Sequence, residues 1–363
     1  MFIIATPSLI PHDAVGNDVR GQHKALLDSG VEARIFCESF KEDFYSRPYL
    51  IEREELQRHL KDPSVTLIYH HSIYWELGLN FLKQARCRIF VKYHNITPPE
   101  FFAPYNSYYA HICYLGRLQT KEIVSLHNIK FFADSQYNAE ELISLGAKKV
   151  FILPPFHNLD DFDRQTLHLP LAEKLNDGRF HVLFVGRFAP NKGHRHLIEV
   201  LRRYIAFYDS NVVFHIVGFL DPGLKSYHDE IFHLLSLTKL QNYFLIHGKV
   251  SFTELYTFYS CSHVFLLLSD HEGFCVPILE AQKLYLPIVA HSASAIPETL
   301  GENQLIFLPG DYVKLACALG VLKKNPSYRL YLAQEGQKNL ARFSLSILKR
   351  KFLSLTLSND PHW

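Results

Sequence analysis

Short apolar runs alternate along the chain with stretches in which apolar positions recur every three or four residues. The runs fall at residues 2–5, 31–37, 65–71, 88–94, 131–135 and 150–155, then at 180–185, 212–217, 244–248, 263–268, 287–290 and 305–308. The spacing between them predicts helices over residues 18–29, 52–60, 108–125, 138–145, 194–208 and 311–322, with another opening at Pro277. Strands this apolar, each followed by a helix, belong to doubly wound α/β domains. The rhythm runs once, stops in a polar, proline-flanked stretch at 156–179, and starts again. That stretch reads as a linker. Two Rossmann-like domains follow, residues 1–165 and 166–344, with a tail at 345–363.

Composition narrows the class. A length of 363 residues with 48% hydrophobic and 20% charged positions suits a globular protein with a sizeable core. A net charge of +2 gives no reason to expect nucleic acid. Cys37, Cys87, Cys113, Cys261, Cys275 and Cys317 contain no C-x-x-C pair, so they read as free thiols of a reducing compartment. Residues 1–10 lack a basic start and are broken by Pro7, the mark of a first strand rather than a signal peptide. A cytoplasmic protein is expected, and the sequon Asn95-Ile96-Thr97 then carries no meaning. Asp161-Phe162-Asp163 matches the D-x-D of metal-dependent transferases, but no strand precedes it and it lies in the linker. No metal ligand is expected.

The chemistry gathers at 266–288. An apolar run ends in Ser269-Asp270-His271; Glu272, Gly273, Phe274 and Cys275 follow, then Pro277 and a helix with Glu280 in its first turn. Strand, glycine turn and helix start present backbone N–H groups to an anion. The two carboxylates flank that anion site, and each can accept two hydrogen bonds from vicinal sugar hydroxyls. A second strand-to-helix turn holds Gly186, Arg187, Asn191, Lys192 and Gly193. Its two cations suit a diphosphate, and a solvated turn is equally open. Near the start, Gly16-Asn17-Asp18 reads either as an amide cradle for phosphate or as an ordinary N-cap made by Asp18. Two strands end in histidine: His70-His71, and His94 followed by Asn95. They suggest a polar cleft at the carboxyl edge of the first sheet.

The run Glu272-Gly273-Phe274-Cys275-Val276-Pro277-Ile278-Leu279-Glu280 resembles the E-x7-E motif of retaining family 4 glycosyltransferases, and Phe184 to Gly193 resembles their diphosphate-binding G-R-x-x-x-x-K-G. The resemblance implies the GT-B fold, two Rossmann-like domains facing each other across a cleft, with the tail 345–363 packing back on the first. It implies transfer of a hexose from a nucleotide-sugar, GDP-mannose or a UDP-hexose, to a glycan or lipid-linked glycan. Peripheral contact with the inner membrane face goes with a lipid-linked acceptor. Gly16, Arg187, Lys192, Glu272, Gly273, Phe274, Cys275 and Glu280 are then the donor-binding residues. The resemblance gives Glu272 the sugar hydroxyls, Glu280 the ribose, and Arg187 and Lys192 the leaving diphosphate in place of a metal, so that no cofactor is required. It assigns His94 to the donor sugar and leaves His70, His71 and Asn95 as the acceptor cleft. It implies retention by front-face attack, with domain closure to exclude water. A nucleotide-sugar epimerase of the same architecture and a non-catalytic partner of another transferase are the alternatives. Tyr285 stands where the family often has glycine, and Cys275 replaces another; a tyrosine there either avoids positive φ or strains the turn.

Overall fold

The computed structural model describes residues 1–10, 13–41 and 45–358. The backbone divides into two units. Unit 1 is Met1–Pro99, Tyr108–Asn158 and Phe343–Trp363; unit 2 is Glu100–Ser107 and Leu159–Arg342. Each is a parallel six-stranded sheet with helices between the strands, the α/β architecture the alternation predicts.

Unit 1 contains β1 (Phe2–Leu9), β2 (Ala33–Phe40), β3 (Thr66–His71), β4 (Arg88–Tyr93), β5 (Ile129–Ala133) and β6 (Val150–Ile152), in the order β2-β1-β3-β4-β5-β6. Alternate residues feed opposite faces. Ile3, Leu67, Tyr69, Val91 and Tyr93 pack on one side. Ile4, Ile68, Phe90 and Phe132 pack on the other, together with Leu348 and Phe352 of the helix Leu345–Thr356. Each of those two helix residues stabilises by about 1.5–3 kcal/mol on burial. Residues 359–363 of the expected tail lie outside the described residues.

Unit 2 contains β7 (Phe180–Val185), β8 (Val212–Val217), β9 (Phe244–Gly248), β10 (Val264–Leu267), β11 (Ile288–His291) and β12 (Leu305–Phe307), in the order β12-β11-β10-β7-β8-β9. The chain winds outward from β7 in one direction, then returns to begin again at β10. At such a reversal the loops leaving neighbouring strands diverge and open a crevice at their carboxyl ends. The reversal lies between β7 and β10 in unit 2, and between β1 and β3 in unit 1.

Several expected boundaries move. The first helix is Ala14–Leu27, and Asp13, not Asp18, caps it by accepting from the Gly16 N–H at 3.1 Å. β1 runs on to Leu9, beyond the expected end at Ala5. The linker stretch is structured, with a 3-10 turn at Leu159–Arg164 and a helix at Leu169–Leu175. Asp163 in that turn pairs with Lys283. After β11 a short helix, Ile296–Leu300, carries Glu298.

Candidate functional site

Two loops leave the carboxyl ends of β7 and β10. The first, 186–193, leads into the helix His194–Phe207, and the second, 268–275, into Val276–Lys283. Backbone bonds fasten them together. The N–H groups of Asp270 and His271 donate to the Asn191 carbonyl at 2.9 and 3.4 Å, and Asn191 Nδ2 donates to the His271 carbonyl at 3.2 Å. Gly193 has φ +73°, and a Cβ there would lie 2.0 Å from the Leu268 carbonyl oxygen. Only glycine permits that approach.

This zipper brings Lys192 Nζ within 2.7 and 2.8 Å of the two carboxylate oxygens of Glu272. Glu272 is 8% exposed, so the pair is largely out of water. The Glu272 N–H donates to Ser294 Oγ at 2.7 Å, which holds the carboxylate over the crevice from a third loop. Arg187 is half exposed, with its guanidinium 3.9 Å from the Asp221 carboxylate and above the ring of Phe102. Glu280 accepts from the Tyr259 hydroxyl at 2.7 Å. Burial pushes the Glu280 carboxyl up, and the Tyr259 bond opposes the rise. Glu280 lies one turn into its helix, not in the first turn as the sequence suggests. Buried Ser269 Oγ and Asn191 Oδ1 find no hydrogen-bond partner among the described residues, a pattern expected where a polar ligand completes a site.

Cys275 is the N-cap of Val276–Lys283, at φ +77° and without a side-chain capping bond. Gly273 and Phe274 precede it in the same turn. Burial pushes the Cys275 thiol well up, which leaves it unreactive. Tyr285 takes φ +55° and is 58% exposed, so the turn accepts strain instead of avoiding it.

In unit 1 the residues after β3 and β4 form a buried polar network. His94 Nδ1 meets Asp134 Oδ2 at 2.9 Å and His94 Nε2 meets His70 Nδ1 at 2.8 Å. His70 Nε2 faces Gln22 Oε1 at 3.3 Å, while Gln22 Nε2 donates to Asp18 Oδ2 at 3.0 Å. Reading the protons along this chain, Gln22 needs His70 to carry its hydrogen on Nε2. His70 Nδ1 is then the acceptor towards His94 Nε2, while His94 Nδ1 faces the Asp134 carboxylate. Burial, with the His94 and Lys92 charges, holds His70 well down and neutral. Lys92, fully buried, lies 2.6 Å from Asp134 and 3.8 Å from Asp18 and donates to the Leu153 carbonyl. Lys92 thus stands between the two carboxylates of the network. Burial raises Asp134, but His94 and Lys92 outweigh it and hold its carboxyl below the usual range. Burial leads for Asp18 also, and its carboxyl is raised. Asp18 also accepts from the Phe156 N–H at 2.8 Å.

These contacts revise the readings for the first sheet. Both ring nitrogens of His94 are engaged, so they meet a sugar only by leaving Asp134 or His70. His71 points to the opposite face, is 1% exposed, and bonds Thr120 at 2.9 Å. Burial holds it down to about 3, so it is a neutral core residue instead of a cleft lining. Asn95, at φ +71°, donates to Asn138 and Glu141. The Gly16 N–H is taken by Asp13. Lys92 and Asp134 escape a motif search; the signal for them is a lysine inside an otherwise apolar strand, in register with His70. A cavity of about 450 Å³ lined by His127, Lys130, Lys148 and Lys149 lies at the amino end of β5, away from these groups.

Residues 170–339 match the model of a family described as Glycosyl transferases group 1. Over 196 residues the chain is 28% identical to the capsular polysaccharide biosynthesis glycosyltransferase CapM of Staphylococcus aureus, covering 53% of this chain and 50% of that protein. Over 165 residues it is 22% identical to the O-antigen chain mannosyltransferase B of Escherichia coli, covering 45% and 42%. The match spans about half the length of these relatives. Among solved structures, Anabaena Alr3699/HepE, in complex with UDP and glucose, superposes with a TM-score of 0.77 at 16% identity over 99% of both chains. WaaG, a glycosyltransferase involved in lipopolysaccharide biosynthesis, superposes at 0.72 and 13% identity over 98% of this chain and 99% of that one. The shared fold is GT-B. Among the described residues no helix is long and apolar enough to cross a membrane.

Proposed function

We propose that this chain, a GT-B protein whose residues 170–339 form a glycosyl transferases group 1 domain, is a retaining hexosyltransferase that uses a nucleotide-sugar and needs no metal. The observation that carries the reading is the Lys192–Glu272 pair, set at the reversal point of the sheet in that domain. The nucleotide-sugar lies along the crevice between β7 and β10. Its diphosphate takes Lys192 away from Glu272 and draws in Arg187, with the amides of Gly273 and Phe274 and the opening turn of Val276–Lys283 alongside. Negative charge grows on that diphosphate as the glycosidic bond breaks. Cations and dipoles fixed beforehand stabilise it more than they stabilise the bound donor, and each such group is worth roughly 3–4 kcal/mol of barrier.

The same exchange releases Glu272 for the sugar's hydroxyls, which fixes the anomeric carbon. Glu280 accepts from the ribose hydroxyls in place of Tyr259. His94 and Gly16 of unit 1 keep the donor-side roles the resemblance gives them, His94 after exchanging a present partner. The acceptor is a growing glycan, free or lipid-linked; a lipid-linked one would be met at the inner membrane face. Lys349 contributes little there, because it is tied to Asp28 at 3.0 Å.

GDP-mannose and UDP-hexoses are the donors to try first. A thermal-shift panel of UDP, GDP, dTDP and ADP, each with its sugar conjugates, identifies the donor. Incubation of that donor with and without a polysaccharide acceptor then separates transfer from epimerisation. Arg187→Ala and Lys192→Ala are each expected to lower transfer by roughly 100-fold or more. Undiminished transfer in both variants ends the assignment.

A further inference from the structure

A second cluster stands on the same edge of the unit 2 sheet, one on each of three adjacent elements. His196 is in the first turn of the helix after β7, Asp270 is in the loop after β10, and His291 ends β11. One ligand atom from each lies within 4.8 Å of the other two. His196 Nε2 is 3.0 Å from both Asp270 oxygens, and its Nδ1 is 2.7 Å from the Tyr312 hydroxyl. His291 is fully buried with its ring centroid 5.2 Å from that of His196. Neither ring nitrogen of His291 makes a hydrogen bond of ordinary geometry, and the Leu268 backbone is the polar group beside it.

We propose that His196, Asp270 and His291 form a binding site for a divalent transition metal of the zinc class. Two imidazoles and one carboxylate are a ligand set such ions take, with one position left for water. Ligands at about 2.0–2.1 Å from a tetrahedral ion stand roughly 3.4 Å apart, close to the present His196–Asp270 separation. The outer partners fit as well. The Tyr312 hydroxyl can donate to His196 Nδ1 or accept from it. His196 can therefore pass its proton from Nε2 to Nδ1 and free Nε2 for the ion without losing that bond. The Leu268 carbonyl can fix the other nitrogen of His291 in the same way. Asp270 is 29% exposed and gives the ion a way in.

The comparable group in unit 1, Asp18, His70 and His94, lacks this character. Lys92 already stands 3.8 Å from Asp18, and the two imidazoles bond each other. A second cation there meets the ammonium of Lys92. In unit 2 the nearby cation Arg203 lies over the Tyr312 ring and is paired with Glu199.

The site can be tested without any transfer assay. Chelator-treated full-length protein is titrated with zinc chloride alone, and in parallel with cobalt(II) to record its visible spectrum. One zinc per chain is expected, with a rise in Tm, and the cobalt spectrum of a nitrogen- and oxygen-ligated tetrahedral ion. Tyr312→Phe should weaken binding roughly tenfold, the low end for an outer partner, and His196→Asn and Asp270→Asn, which remove ligands outright, each by at least about 100-fold. Circular dichroism checks that each variant is folded. No uptake by the wild type, uptake undiminished in His196→Asn and Asp270→Asn, or a thiolate charge-transfer band pointing to the cysteines would each overturn the proposal.

Discussion

Replacing Glu272 by glutamine removes one charge from the pair that now holds Lys192. At the observed 2.7–2.8 Å, two unit charges attract by roughly 6 kcal/mol at an effective dielectric of ~20. Desolvation cancels much of this, and breaking a buried pair outright costs about 3–5 kcal/mol. Glutamine keeps an acceptor for the ammonium, and the Lys192 side chain is 21% exposed, so a loss of about 2 kcal/mol is the better figure. In a unit of about 190 residues this corresponds to a Tm lower by roughly 4–8 °C. The same change frees Lys192, so a nucleoside diphosphate no longer has to displace a carboxylate. Affinity for UDP or GDP is expected to hold or to tighten by up to about tenfold, or ~1.4 kcal/mol, while transfer collapses because the sugar is no longer held. Differential scanning fluorimetry with and without nucleotide, calorimetric titration, and release of nucleoside diphosphate from the donor give the three readouts. A variant that binds nucleotide tenfold more weakly than wild type would refute competition between the diphosphate and Glu272. A variant with normal turnover would refute the sugar role.

Glu280→Ala removes a charged acceptor worth about 1.5–3 kcal/mol, so nucleotide affinity measured by titration should fall roughly 10- to 100-fold. Tyr259→Phe should do less, and equal losses would make Tyr259 the real contact. Four buried histidines make stability depend on pH. Burial leads in each case and holds His71 and His194 to about 3, His215 to about 2 and His291 to about 4. The unfolded chain takes up these protons below about pH 6.5 and the folded one does not, so stability is whole above that value and falls with pH by about 1.4 kcal/mol per histidine per unit. Urea midpoints at pH 7.5 and 5.5 should differ accordingly, and equal midpoints would show the imidazoles protonating within the fold. Tyr285→Gly relieves a left-handed residue whose side chain is mostly exposed, and should raise Tm by roughly 2–4 °C, about 1 kcal/mol; a lowered Tm would mean the ring packs usefully.

Local sequence made both loops of the candidate site legible, because glycines, cations and carboxylates sit at strand-to-helix junctions. It could not show that Lys192 meets Glu272, eighty positions away. That meeting depends on β7 lying beside β10, which is a matter of strand order. Asp18 looks like a cap for the same reason in reverse. Asp13 competes for the helix start, and the buried Lys92 that claims Asp18 lies far along the chain. The helix Phe252–Cys261 carries a capping box, Ser251 with Glu254, yet its aromatic and β-branched residues suit a strand as well. His71 differs from His70 by one step of the pleat, and a list of strand-end histidines cannot tell the two faces apart.

The helix Leu345–Thr356 is translated after the whole of unit 2, yet it fills a face of unit 1. On the ribosome, Phe90, Phe132 and Phe156 must wait, uncovered, while more than half the polypeptide is still to be made. The lobe that starts first thus finishes second. A chain stopped shortly before that helix would carry a complete unit 2 joined to a sticky, unfinished unit 1.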